Sequence, residues 1–430
     1  TAKRTTTLAD EAARADLLVT SYTIARLDEE EFAAQEWSWT ILDEAQFVKN
    51  HASATYKAVR RLRAPSTIAI TGTPLENSLM DLWSLLSICA PGLLPGPERF
   101  TATYRRPIER GSTERLTALR ARMRPFLLRR TKEQVAAELP KKTEQVLAVE
   151  LSAAHRRAYD QRLARERQKV LGLLEEDTAQ ARFSALKSLT TLRLMALDPA
   201  LIADDAHPCD NHHPGGVGAG GAARPGGATG RRRRSAKVEV LMGQLRPIIA
   251  EGHKALVFSQ FTRYLSGVRA ELDAAGMRTV YLDGATADRQ AVIEAFRNGR
   301  ADVFLISLKA GGFGLTLTEA DYVFLLDPWW NPQAEEQAVD RTHRIGQDRP
   351  VMVYRLVSTD TIEEKVMALK EKKAELFARV VEGTRDTAGN GLGGAGNGAG
   401  GAGSGAGGAT RAGVSRARLS AAEIRELVGG

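Results

Sequence analysis

Two pairs of residues in this chain have the types and the setting for chemistry on an anion. Asp43 and Glu44 directly follow an apolar run, Trp39–Leu42. An acidic pair at the carboxyl end of a buried strand stands where open α/β sheets place their chemistry. The first carboxylate can hold Mg²⁺ and the second can polarise an attacking water. Taken alone, such a pair more often merely caps the segment that follows it. The second pair is Arg341 and Arg344, which follow Gln337 at spacings of four and seven. On a helix the three share one face, where two guanidiniums can grip a phosphate. Arginines near a helix end also simply favour its dipole.

The elements needed to position these groups are legible around them. Val303–Ile306 and Tyr322–Leu326 are apolar, β-branched runs of buried-strand length. Between them lie Gly311, Gly312 and Gly314, where backbone can approach a ligand closely. After Asp327 a helix is expected from Pro332, with Asn331 as its N-cap and Gly346 as its stop. Toward the N-terminus, strands are expected at Leu17–Thr20, Trp39–Leu42 and Thr67–Ile70, with helices near Ala52–Leu62 and Leu79–Ile88. In the second half, strands Ala255–Phe258, Thr279–Leu282 and Val351–Val357 alternate with helices Val238–Ile249, Asp288–Arg297 and Ile362–Ala378. That alternation specifies a parallel sheet covered on both faces.

Several stretches resemble a known family. SLKAGGFGLTLTEAD, DPWWNP and QAVDRTHRIGQ resemble motifs V and VI of the Swi/Snf-type ATPases, the double-stranded-DNA translocases of helicase superfamily two. DEAQ at Asp43–Gln46, TGTPLEN at Thr71–Asn77 and SQF at Ser259–Phe261 resemble motifs II, III and IV. The match is contiguous and specific over about forty residues and weaker over most of the rest. The resemblance implies an α/β fold of two RecA-like parallel-sheet lobes, the first incomplete, with a helical insertion and Gly-rich disordered segments. It implies ATP and Mg²⁺ in a cleft between the lobes. Asp43 would hold the metal through water, Glu44 would activate the attacking water, and Arg341 and Arg344 would reach the γ phosphate. Gln337, Gly312, Gly314 and Asp340 would line the nucleotide. Thr71 and Thr73 would couple that site to DNA, contacted by Ser259, Gln260, Ser307, Lys309 and Trp330. Trp329 and Trp330 read equally well as core packing. Arg129, Arg130 and Lys132, in PFLLRRTKEQV, read either as phosphate contacts or as a solvated basic face.

The implied organisation is lobe 1 over 1–150, a helical protrusion over 151–205, a Gly/Arg-rich linker over 206–234, lobe 2 over 235–384, a Gly/Ala-rich linker over 385–413 and a short helix within 414–430. That last helix is expected at Ser420–Val428, started by a capping box of Ser420 with Glu423. LRLMALDPALI at Leu192–Ile202 departs from the family's Cys-Asn-His-Pro wording, so no ligand is inferred there. His207, Cys209, His212 and His213 lack a second pair at metal spacing and read as loop.

The bulk numbers narrow the class. At 430 residues, two to three domains are expected. A formal charge of +8 permits nucleic-acid binding without demanding it. Two cysteines build no disulfide framework, and no apolar run is long enough for a membrane span. The Ala/Arg/Gly-heavy composition points to a high-GC bacterial source, hence a cytoplasmic, nucleoid-associated protein. The phosphate-cradling GxxxxGK[ST] loop occurs nowhere in the 430 residues. The family places it upstream of DEAQ, where this chain has too few residues, so an N-terminal truncation is expected. A truncated first lobe should expose an unpaired sheet face and be inactive alone. Alternatives are a RapA-like remodeler acting on RNA polymerase, or a catalytically dead nucleic-acid-binding remnant.

Overall fold

The computed structural model describes residues 7–62, 64–72, 78–175, 178–203, 235–308, 310, 315–330, 332–381 and 421–429. The chain forms two compact units, Thr1–Arg129 with Lys372–Arg418 and Arg130–Glu371 with Leu419–Gly430. Thr73, Lys309, Gly311, Gly312, Gly314, Asn331, Ser420 and both expected linkers lie outside the described residues.

In the first unit, strands β1 (Trp39–Leu42) and β2 (Ser66–Ala69) pair in parallel, Trp39 opposite Ser66 and Leu42 opposite Ala69. Helices Ala54–Arg60 and Leu79–Cys89 follow, near their expected positions. Ser78 caps the second, accepting from the Met80 amide at 3.2 Å, and that helix buries Leu85 and Ile88 against Leu42, Val48 and Tyr56. A second cluster joins Trp83 and Leu86 of the same helix to Phe100, Leu116 and Leu119. The expected strand Leu17–Thr20 does not form. Those residues belong to no helix or strand, and Leu17 and Val19 are 73% and 85% exposed. Alternation alone cannot make a strand where no neighbouring ladder accepts it. Trp39, Ile41, Ile68 and Ile70 are exposed too, so much of this small sheet's apolar surface faces outward.

The second unit holds the larger core. Its six strands are β3 (Lys142–Val149), β4 (Ala255–Ser259), β5 (Thr279–Leu282), β6 (Val303–Ser307), β7 (Tyr322–Leu325) and β8 (Val351–Ser358). They run in the order β3-β8-β7-β4-β6-β5, every pair parallel, giving the RecA-like α/β sheet. β4 and β6 are buried at every position because helices cover both faces. Ala236–Ala250 and Thr262–Ala274 pack one side through Leu241, Leu245, Leu265 and Val268. Arg289–Arg297 packs the other through Ile293 and Phe296, with Asp288 accepting from the Ala291 amide at 2.9 Å to start the helix. β3 falls inside the stretch expected to close lobe 1, yet it is an edge of this second sheet. Its outward residues, including Lys142, Glu144 and Gln145, hide the strand signal and also blunt a free edge.

The helical segment is a hairpin of Ala153–Glu175 and Ala179–Leu197, anchored on the sheet by Ser358 Oγ donating to Ala196 O at 3.1 Å. The C-terminal helix Ala421–Val428 packs on this hairpin, burying Ile424, Leu427 and Val428, and Lys365 Nζ donates to Gly429 O at 2.7 Å. Among the described residues no helix is long and apolar enough to cross a membrane.

Candidate functional site

The first unit places Asp43 and Glu44 where β1 ends. The Ile70 amide donates to Leu42 O at 2.8 Å and the Ala45 amide to Ile70 O at 2.9 Å, locking DEAQ to the end of β2. Between those bonds the chain must turn sharply, and Glu44 takes the left-handed conformation, φ 48° and ψ 51°. A non-glycine residue there stores strain of about 1–2 kcal/mol. Asp43 is exposed and Glu44 half-buried. Asp43 Oδ1 accepts from the Glu44 amide at 2.9 Å, and the Tyr22 hydroxyl donates to Asp43 O at 2.7 Å. Burial, reinforced by the Asp43 and Glu44 charges, pushes the Tyr22 phenol pKa up, so it remains a donor.

Gln46 joins the two motifs. Its Nε2 donates to Glu44 Oε2 at 2.7 Å, and its Oε1 accepts from Thr71 Oγ1 at 3.0 Å. A side-chain amide can donate to a carboxylate through its NH₂ while its carbonyl oxygen accepts from a hydroxyl. Sequence reading quotes Gln46 in DEAQ without a role. Its position two residues after an acid, with a threonine at the next strand end, was the available signal.

The second unit alters the expected arginine face. Helix Pro332–Val339 ends before Arg341, so Gln337, Arg341 and Arg344 do not share a helical face. The amides of Thr342 and His343 both bond Val339 O, at 3.0 and 3.1 Å. The carbonyls that a continuing helix would need are taken by tertiary partners. Leu317 N donates to Arg341 O at 2.9 Å, Gln347 Nε2 to Thr342 O at 3.2 Å, and Lys132 Nζ to His343 O at 2.8 Å. Lys132 also pairs with Asp340 Oδ1 at 2.5 Å, so it braces this turn, a role that neither of its two sequence readings anticipated. His343 Nε2 donates to Pro140 O at 2.8 Å. Arg341 is buried at 7% exposure and Arg344 is exposed, while Gly346 takes φ +101° as a turn residue rather than a helix stop.

The candidate DNA contacts Ser259, Gln260, Ser307 and Trp330 are likewise corrected. All four are buried, at 0%, 8%, 1% and 8% exposure, so their side chains offer no surface to a duplex. Gln260 Nε2 donates to Asp327 Oδ2 at 2.6 Å, and Ser259 Oγ accepts from the Phe261 amide at 3.1 Å. Trp330 stacks on Trp329 at 4.9 Å. Burial raises the Asp327 pKa, opposed chiefly by Arg193. Sequence reasoning passed over three buried charges here: Arg193, Lys237 and Glu335. Arg193 and Lys237 sit among apolar neighbours in helices that read as packing, and Glu335 sits beside Glu336 on a helix singled out for other residues, so local pattern marked none of them as buried.

Among the described residues no group of three or more His, Cys, Asp or Glu could hold a metal by itself. A lone exposed carboxylate suits Mg²⁺ that brings water and substrate phosphates as its other ligands. Asp43, at a strand end, fits that role.

Comparison with known proteins finds an SNF2-related domain over residues 2–201 and a helicase conserved C-terminal domain over residues 236–346. The Bacillus subtilis protein YwqA, a candidate ATP-dependent helicase/translocase, is 34% identical over 86% of this chain and 38% of its own length. The human SWI/SNF-related matrix-associated actin-dependent regulator of chromatin subfamily A member 1 is 32% identical over 85% of this chain and 34% of its own length. This chain thus spans about a third of the length of the curated relatives it matches. Among solved structures, the Sulfolobus solfataricus SWI2/SNF2 ATPase core in complex with dsDNA is 30% identical, covering 86% of this chain and 74% of that one, with a TM-score of 0.43.

Proposed function

This chain belongs to the SNF2-type family of ATP-dependent helicases, and from that premise we propose that it carries catalytic parts of an ATP-driven double-stranded-DNA translocase. The observation that carries the reading is the hydrogen-bonded series Glu44–Gln46–Thr71 at the ends of two parallel strands. It fixes the Glu44 carboxylate next in sequence to the exposed Asp43, which suits the orienting of an attacking water. Asp43 would hold Mg²⁺ through water, and the ion would supply charge neutralisation at the nucleotide phosphates when bound. Glu44 orients the water that attacks the γ phosphate. Arg341 and Arg344 stabilise the charge that develops there, and Lys132 holds their turn through Asp340 and the His343 carbonyl. Duplex DNA is held through its phosphates, with Lys309 the remaining motif V candidate, so binding weakens steeply with salt.

Because GxxxxGK[ST] is absent from these 430 residues, we expect the chain alone to hydrolyse ATP negligibly. Robust DNA-stimulated turnover from it would overturn that. The main test uses a chain extended to include such a loop. Arg344→Ala and Arg341→Ala should each lower DNA-stimulated kcat by about 10³-fold or more, as loss of an arginine finger does. Unchanged turnover in both removes the arginine assignment.

A further inference from the structure

Helix Ala179–Leu197 drives one cation into the interior of the second unit. Arg193 is 1% exposed, its Nη2 donates to Pro328 O at 2.6 Å, and it lies 3.4 Å from Asp327 Oδ2. Its guanidinium carbon stands 4.6 Å from the Trp330 ring centre, 5.0 Å from Trp329 and 5.3 Å from Phe261. The two tryptophans stack with their planes 28° apart. The contacts continue beyond the rings. The Trp329 amide donates to Glu335 Oε1 at 2.7 Å, while Glu335 Oε2 accepts from Lys370 at 2.6 Å and Arg355 at 3.2 Å. Glu335 lies on helix Pro332–Val339, which leads directly into the turn carrying Asp340 and Arg341. A buried charge is a costly way to fill space, since well-packed apolar residues of similar volume do so at least as stably.

We propose that Arg193 is a positioning residue through which the helical hairpin sets the turn 327–330, and through it the segment presenting Gln337, Asp340 and Arg341. Its consequence for turnover rests on the motor reading above; the contact itself does not. The planar guanidinium fits the place as lysine cannot. It covers aromatic faces while donating in its own plane, whereas an ammonium is a point charge.

The test is amide hydrogen exchange on the 430-residue chain, with neither nucleotide nor DNA present. Arg193→Lys keeps the charge, and Arg193→Met with Asp327→Asn removes both buried charges together. In each, exchange across 327–345 should rise about tenfold, while β4 and β5 keep their protection. Exchange within about twofold of the parent across 327–345 overturns the proposal. So does a uniform rise that includes β4 and β5, or loss of folding in both variants, because those mark a purely structural residue. Since the readout contains no substrate, failure of the arginine-finger test leaves this result standing, and the reverse also holds.

Discussion

Glu44 shows how one backbone conformation ties stability to chemistry. Its left-handed φ puts Cβ against its own carbonyl, a penalty that glycine does not meet. Glu44→Gly should therefore be more stable than Glu44→Ala by about 1 kcal/mol in urea unfolding, although both lose the carboxylate. Equal stabilities would mean the conformation is not strained. Lys237 makes the opposite case, a charge whose partners offset its burial. Its Nζ donates to Leu326 O, Leu356 O and Glu363 Oε2 at 2.7, 2.9 and 2.6 Å. Burial lowers its pKa, and Glu363 opposes that shift. Lys237→Met leaves the buried Glu363 without its ion-pair cation, only the Ser358 amide still donating to Oε2 at 2.8 Å, so the second unit should lose about 3–5 kcal/mol, measured by chemical denaturation. Adding Glu363→Gln should recover part of that loss.

At the scale of elements, β3 is held to the sheet by more than its ladder. Glu144 bonds both Lys142, at 2.7 Å, and Arg355 of β8. Burial pushes the Glu144 pKa up, but hydrogen bonds from those two cations outweigh it and hold the carboxyl at about 2, against an ordinary 4.5. A depressed folded-state pKa contributes stability above the unfolded value and loses it as pH falls through the folded one. The edge should accordingly weaken between pH 4.5 and about 2. Exchange protection of 142–149 followed over that range checks this, and Glu144→Gln should flatten the response. This strand was illegible in the sequence because an exposed edge carries charges where a core strand carries valines. The central strands β4, β6 and β7 were readable from composition alone, being largely buried.

At the scale of the molecule, the two units differ greatly in how much they bury. Among the described residues the second has six parallel strands whose central members are buried on both faces, whereas the first has two strands with Trp39, Ile41, Ile68 and the following Ile70 exposed. A two-stranded sheet is marginal without packing on its faces. Thermal unfolding should show two transitions, the first unit melting earlier, with tryptophan emission from Trp37, Trp39 and Trp83 reporting that step. A single cooperative transition would contradict the division.

Sequence alone determined the α/β class, the central strands, most helices and the motifs, because strand burial and helix capping leave local, periodic marks. It also placed Asp43 and Glu44 at a strand end, since an apolar run followed by acids needs no distant partner to be read. Tertiary structure decided what depends on long-range bonds. Lys132, Leu317 and Gln347 take the carbonyls that a longer helix would have used, so Arg341 and Arg344 leave their common face. Asp327 and Arg193 draw Gln260 and Trp330 inward, turning expected surface contacts into core. In both cases most of the competing partners, Lys132 and Arg193 among them, lie far away in the chain, where no local pattern records them.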